Sequence, residues 1–272
     1  MRFLKMNPSN QRALITGSST GLGYETALAL VRQGVEVMLS ARALPRLEQA
    51  RLRILEAVPE AQVHIFPCDI TRDADLAELA EATRQAMGRI NVLVANGGGP
   101  PSGRATAMDL AAYDAAVALN LRSMIALVET FLGDLREAVR QGNFGRILFI
   151  TSMSAKEPLA ELALSNVTRA GVQGYAKSLA SDIGREGITV NTILPGYTET
   201  DRLHELADQL SIRTGRDKES IFEDWRGQTA VGRLGRPEEF AAAAAFLVGP
   251  SAGFITGTAL SVDGGRSRGL FG

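Results

Sequence analysis

The sequence predicts a doubly wound α/β fold, a mostly parallel seven-stranded sheet with helices on both faces. Two observations carry that expectation. Short β-branched or aliphatic runs alternate with helical stretches of ten or more residues, the pattern of βαβ units in a sheet covered on both sides. A glycine-rich turn directly follows the first run and opens into the first helix.

The runs, in chain order, are Ala13-Leu14-Ile15, Val35 to Leu39, Val63 to Phe66, Asn91 to Val94, Arg146 to Ile150, Thr189 to Leu194 and Leu260 to Val262. Helix punctuation fits between them. The first helix is expected from about Gly23 to Gln33, stopping at Gly34, and EEFAAAAAFLV lies between Pro237 and Gly249, proline at the start and glycine past the end. From Asp114 to Arg140 the apolar residues Val117, Leu121, Met124, Val128, Phe131, Leu135 and Val139 recur at helical spacing, as do Ala176, Leu179, Ala180 and Ile183 after Val172. Two helices apolar over much of their circumference predict a second contact beyond the sheet, and a homo-oligomer, dimer or tetramer, is the natural one. The segment GGGPPSGR at 97–104 reads as a loop after a strand. The stretch 199–236 is polar and charged, and it is expected to be an irregular lid. No repeat or linker divides the chain, so residues 1–272 read as one domain with that lid.

Composition narrows the function classes. The 45% hydrophobic and 22% charged content argues against long disorder or a fibrous coil. Cys68 is the sole cysteine and cannot form an intrachain disulfide, and with only His64 and His204 beside it no Cys/His zinc site is expected. A net charge of −1 gives no basic footprint for nucleic acid. The opening MRFLKMNPSN carries no apolar run long enough for a signal peptide, and AAAAAFLV at 241–248 falls well short of the ~20 residues of a membrane span. These features predict a cytoplasmic protein acting on a small molecule, without nucleic-acid, membrane or metal partners.

The turn after the first strand reads Thr16-Gly17-Ser18-Ser19-Thr20-Gly21-Leu22-Gly23. Glycines at 17, 21 and 23 permit a tight turn and close backbone approach, while the helix N-terminus offers free N–H groups to a pyrophosphate; the bland alternative is an ordinary glycine-rich turn. This loop places Gly17, Ser18, Ser19, Gly21, Leu22 and Gly23 at a dinucleotide. At the end of the second strand, where an acid would hold the ribose diol of NAD, the chain has Ser40-Ala41-Arg42. Arg42 favours the 2′-phosphate of NADP, against the reading of a solvated arginine that starts a helix.

With these motifs in place, the chain resembles the short-chain dehydrogenase/reductase family from Arg12 to Gly265. The TGxxxGxG loop is matched at Thr16, Gly17, Gly21 and Gly23. Asp69 and Ile70 resemble its adenine-contacting segment, and Ala95-Asn96-Gly97-Gly98 its NNAG segment, with Ala95 in place of the first asparagine. Asn120 resembles the helix asparagine that holds a catalytic water, and Ser152 the catalytic serine. Pro195-Gly196-Tyr197-Thr198-Glu199-Thr200 resembles the PGxxxT segment, which implies nicotinamide contacts at Pro195, Gly196, Thr198 and Thr200. Ser261-Val262-Asp263-Gly264-Gly265 resembles the C-terminal signature. The resemblance implies a Rossmann fold, NADP(H) as cofactor and a 3-oxoacyl-reductase-like hydride transfer between nicotinamide and a carbonyl or secondary alcohol.

One departure is central. Thirteen residues beyond its serine the family has Tyr-x-x-x-Lys, and this chain has Ser165-Asn166-Val167-Thr168-Arg169. Arg169, on the same helix face as Ser165, can still donate to ribose hydroxyls but cannot relay a proton, because a guanidinium stays charged. Ser165 is a weak acid and stops several ångströms short of a phenol oxygen. Substitute donors are few. Tyr24 lies in the loop helix, Tyr113 in the turn before the long helix, and Tyr175 is ten residues past Ser165, ~15 Å along the helix. Tyr197 is placed either near the hydride or as an aromatic packed under the lid, and Lys156 is either a donor or an exposed loop lysine. The lid arginines Arg202, Arg213, Arg216 and Arg226 either attract an acidic substrate or form a solvated face. Three functions follow: an NADP-dependent oxidoreductase with Ser152, Asn120, Ser165 and Arg169 in an atypical site, an NADP-binding protein without redox catalysis, or an unusual reaction on the same scaffold.

Overall fold

The computed structural model describes residues 11–270; the opening decapeptide read above for a signal sequence lies outside them. Seven parallel strands form one sheet: β1 (Arg12–Thr16), β2 (Glu36–Ala41), β3 (Val63–Pro67), β4 (Val92–Ala95), β5 (Gly145–Ile150), β6 (Ile188–Pro195) and β7 (Ala259–Val262). Their order is β3-β2-β1-β4-β5-β6-β7, and every neighbouring pair is parallel. This is the Rossmann arrangement. The order reverses between β1 and β4, and a crevice opens there beyond the strands' C-terminal ends.

Alternation along the strands builds two cores. Ala13, Ile15, Val37, Leu39, Val92, Val94, Leu148 and Ile150 face one side, against α1 (Gly21–Val31), α2 (Leu44–Ala57) and α9 (Pro237–Val248). Leu14, Met38, Leu93, Ala95, Ile147 and Phe149 face the other, under α3 (Asp73–Met87), α5 (Ser123–Arg140) and α6 (Ala163–Ile183). Asp134, 1% exposed on α5, is held by Arg84 on α3 and by Arg89 beyond its end, which pins the two helices together.

The structure corrects the helix expected over 114–140. A helix α4 (Leu110–Val117), which contains Tyr113, leads into a π-helical turn (Ala118–Arg122) before α5 begins. The continuous run Leu110–Arg140 is long and apolar enough to cross a membrane, which the sequence expectation overlooked, yet Met124, Leu127, Phe131 and Leu135 are spent on the core.

The 199–236 segment is also not irregular. It folds into α7 (Asp201–Thr214) and α8 (Lys218–Gln228), which close over a small core of Leu203, Ala207, Ile221, Phe222 and Trp225. Thr200 and Asp217 cap the two helices, their side chains accepting from Leu203 N and from Glu219 N and Ser220 N. Dense charge on the outer faces hides this short amphipathic pattern in the sequence.

Candidate active site

At the reversal of strand order the first βα turn is locked from both sides. Thr16 Oγ1 donates to the Asn96 carbonyl at 2.7 Å and accepts from Asn96 N at 2.9 Å, so the ends of β1 and β4 are stitched together. Asn96 Nδ2 donates to the Gly17 carbonyl at 3.0 Å. The turn leaves no room for side chains: Gly17 has φ +58°, and a Cβ on Gly23 would collide with the Gly17 carbonyl oxygen and stand 2.8 Å from Asn96 Nδ2. Ser18 is fully buried. Its hydroxyl donates to the Ile15 carbonyl at 2.8 Å and accepts from Ser40 N at 3.0 Å, so this side chain fixes the loop to β2 rather than facing a ligand.

A cavity of about 320 Å³ opens from this turn across the sheet edge. It is lined by Gly21, Leu22, Asn96, Gly97, Ser152, Ser165, Arg169, Pro195, Gly196, Thr198 and Thr200, all of them sequence candidates. Gly17, Ser19, Gly23, Arg42, Asp69 and Ile70 lie outside the cavity lining. Arg42 is exposed at the end of β2. The Asp69 carboxylate is held below the ordinary range by Thr71, which donates through its hydroxyl and its N–H, with Arg42 adding to the effect.

On the floor, β5 ends in Thr151 and Ser152, and Ser152 starts a short 3₁₀ turn (Met153–Ala155). Its Oγ accepts from Ser154 N at 3.1 Å. Among the described residues the Ser152 proton has no protein acceptor, so it is free to donate into the cavity. The Ser154 and Ser165 hydroxyls share a hydrogen bond of 3.1 Å. Ser154 is 1% exposed, and sequence reasoning missed it. The signal was its place two residues past Ser152, where a tight turn folds back on the serine.

One turn along α6 from Ser165, Arg169 is 5% exposed. Its Nη1 and Nη2 donate to the carbonyls of Ile150 and Gly98 at 3.2 and 3.3 Å, and its Nε has no partner. Among the described residues no carboxylate pairs with it. Burial, with Arg202 adding to it, pushes the guanidinium down to about 10, so it remains charged at neutral pH. Asn120, fully buried in the π-helical turn, donates from Nδ2 to the same Gly98 carbonyl at 2.6 Å, leaving its Oδ1 unpartnered. Asn120 and Arg169 therefore converge on one backbone oxygen at the cavity edge. π-Helical turns recur at functional sites because they re-aim a side chain without ending the helix.

The substitute donors fare differently. Lys156 spends its ammonium on the Ala259 carbonyl at 2.6 Å and does not line the cavity. The Tyr197 ring lines the cavity but stacks on Trp225 at 5.1 Å between centroids, and its hydroxyl donates to Gln228 Oε1 at 3.2 Å, raised in pKa mainly by burial. Tyr24 packs under Arg53, and Tyr175 against Phe149.

Met153, Leu159, Leu162, Leu203 and Leu206 add apolar surface to the lining, beside the charged Asp201 and Arg202. α7 is tied across the mouth. Ser102 Oγ donates to Gln209 Oε1 at 3.1 Å, and Arg202 Nη2 donates to the Pro100 carbonyl at 3.1 Å. Glu161, the one described non-glycine residue with a left-handed φ (+63°), sits between Arg213 at 3.4 Å and Arg104 at 3.8 Å. Such strain persists only where surrounding contacts hold it.

Comparison with known proteins gives the following. Residues 17–267 match the family described as Enoyl-(Acyl carrier protein) reductase. The chain is 28% identical over 262 residues to the NADPH-dependent reductase BacG of Bacillus subtilis (strain 168), covering 96% of this chain and all of that one. Among solved structures it is similar to an actinorhodin polyketide ketoreductase with NADPH, at TM-score 0.89 and 28% identity, covering 96% of this chain and 98% of that one. It is similar as well to an NADPH-bound short chain oxidoreductase from Pseudomonas aeruginosa PAO1 described as containing an atypical catalytic center, at TM-score 0.84, 28% identity and the same coverage of 96% and 98%.

Proposed function

The chain belongs to the short-chain dehydrogenase/reductase family, and from that premise we propose that it is an NADP(H)-dependent oxidoreductase, 3-oxoacyl-reductase-like, with an atypical active site. The observation that carries the reading is one cavity at the reversal of strand order that holds the phosphate turn at one end and Ser152 with Arg169 at the other. The residues present fit the cofactor. On its cavity side the turn is open at Gly21, where a Cβ would meet nothing nearer than Thr200 Cγ2 at 4.0 Å, and Asn120 Oδ1 and Arg169 Nε are buried polar atoms that lack partners.

When bound, NADPH supplies the hydride, so that a carbonyl, a hydride and one proton become a secondary alcohol and NADP⁺ is left. The chain's own residues do the rest. The loop from Gly17 to Gly23 offers backbone N–H groups and the α1 N-terminus to a pyrophosphate, and Arg42 offers a cation to a 2′-phosphate. Asp69, Ile70, Asn96 and Gly97 would hold the adenosine half, and Pro195, Gly196, Thr198 and Thr200 the nicotinamide half. Arg169 donates to ribose hydroxyls while its other N–H groups stay anchored on Ile150 and Gly98. Ser152, its Oγ fixed by Ser154 N, directs its own proton at the substrate oxygen and stabilises the charge that develops there. The Ser154–Ser165 pair adds a second hydroxyl nearby. With the Tyr197 hydroxyl committed to Gln228 and no lysine on the cavity lining, the final proton comes from water, which makes the enzyme slow. Positioning alone lowers a barrier by about 7–11 kcal/mol, whereas a general acid contributes ~10²–10⁴-fold, so hydride transfer survives the loss.

The test is NADPH absorbance against a panel of ketones, keto esters and quinones, after cofactor binding has been shown by fluorescence. Turnover on any of them supports the reading; binding with no turnover supports the second reading, an NADP-binding sensor or assembly subunit. Ser165 and Arg169 are the observation that favours that alternative. The α7–α8 unit acts as the lid of a single domain in this account. Val117 and Val167, apolar and exposed on α4 and α6, support a homo-oligomer, and the lone buried Cys68 accords with a cytoplasmic site.

A further inference from the structure

We propose that the substrate of this cavity is an oxo acid, its carbonyl at Ser152 and its carboxylate drawn to Arg202 and Arg169. The inference rests on the reductase reading and adds the class of carbonyl compound. Four lid arginines are present, and the structure sorts them. Arg213 is paired with Glu161, Arg216 with Asp224 at 2.6 Å, and Arg226 with Glu219 and Glu223 at 2.7 and 2.8 Å. Arg202 alone of the four lines the cavity. Its guanidinium lies against the Gly99 backbone, and one N–H reaches the Pro100 carbonyl. Its acidic neighbour is the exposed Glu205, one turn on and 3.4 Å away.

Arg169 lines the same cavity and meets the same 98–100 segment, its Nη2 on the Gly98 carbonyl, and it is buried with no carboxylate partner among the described residues. A buried cation with only carbonyl partners is costly, and an anion within reach offsets that cost. Ribose hydroxyls carry no charge, so a nicotinamide riboside beside Arg169 leaves the imbalance in place. The lining holds one carboxylate, Asp201, exposed in the first turn of α7. Glu205 meets Arg202 from outside the lining, so Arg169 is the cavity cation left without an acid among the described residues. Leu159, Leu162, Leu206 and Met153 give the cavity an apolar patch beside its hydroxyls, which suits an acid with an aliphatic or aromatic body.

The test uses the NADPH-loaded protein, titrated by calorimetry with hexanoate and with hexanamide of equal length. The carboxylate is expected to bind about tenfold tighter or better, as a charge-assisted pair does over a neutral one. In Arg202→Gln that gap closes to within about threefold, while Arg202→Lys, which keeps the charge, retains a clear preference. Equal affinities, binding of neither compound, a gap unchanged in Arg202→Gln, or a gap lost in Arg202→Lys each overturns the oxo-acid inference. The reductase reading has its own readout on the same protein. NADPH consumption with neutral ketones keeps it standing whatever the acids do, and consumption with no carbonyl compound overturns it whatever the acids do.

Discussion

The double substitution Ser165→Tyr with Arg169→Lys tests whether this site lacks only a proton donor. Ser165 lines the cavity one helical turn before Arg169, so a phenol at 165 projects into the roughly 320 Å³ space beside Ser152. Lysine starts from a lower ordinary pKa than arginine, and the burial that brings Arg169 down to about 10 acts on it in the same direction. A lysine there can therefore exchange a proton within a reachable pH range, where a guanidinium cannot. The cost falls on Ser154, 1% exposed, which loses the Ser165 hydroxyl; an orphaned buried hydroxyl costs ~1–3 kcal/mol. The gain expected in turnover of a neutral ketone is about 10²-fold, near ~2.7 kcal/mol of barrier, at the low end of general-acid effects because the new phenol has no evolved contacts. NADPH consumption is read across pH. The variant acquires a fall in reductive rate at high pH, as the phenol loses the proton it must give, and the parent protein lacks that limb. If the variant folds and binds NADPH as the parent does, yet its turnover is unchanged or lower and no such limb appears, the missing donor is not what limits this site.

Gly23→Ala drives a methyl group into the Gly17 carbonyl, so the phosphate turn must open; NADPH affinity should drop by about tenfold or more in a fluorescence titration, with a lower melting temperature. Arg42→Asp removes the cation at the end of β2 and adds repulsion, and the preference for NADPH over NADH should fall by about tenfold or more in paired titrations; an unchanged preference would show that Arg42 does not meet the 2′-phosphate. Glu239 is held down to about 2, first by the Arg233 side chain and then by the Arg236 N–H it caps. A carboxyl lowered on folding stabilises above its unfolded value near 4.5 and loses that effect as pH falls toward 2. The melting-temperature gap between the parent and Glu239→Gln should therefore be widest above pH ~4.5 and shrink on acidification; a gap that grows at low pH contradicts the sign.

Much of the fold was legible because its signals are local. The apolar runs needed only alternation with helices to read as strands, and the turn at 16–23 needed only glycines in order after a strand. The lid was misread for an equally local reason: Leu203, Leu206, Ala207 and Leu210 recur at helical spacing, but Asp201, Arg202, Glu205 and Asp208 between them dominate the composition. The π-helical turn at Asn120 had no sequence signal, since it lies where α4, packed against α6, gives way to α5, packed on β4 and β5. Ser154 carried only the signal of its place two residues past Ser152, because its partner Ser165 lies eleven residues on in another element.

The sequence by itself determined the strand set, the glycine turn after β1, the basic residue after β2 and the absence of a tyrosine where the family keeps its acid, because each depends on residue type at a short, fixed spacing. Only the tertiary structure decided which charges remain uncompensated. Arg202 and Arg226 find acids on their own helices, Arg213 and Arg216 meet Glu161 and Asp224 on other segments, and Arg202 is the one of the four that lines the cavity. Arg169 became the central cation of the cavity for the same reason. A charge acquires its chemical meaning from its burial and its neighbours, and both are properties of the folded chain.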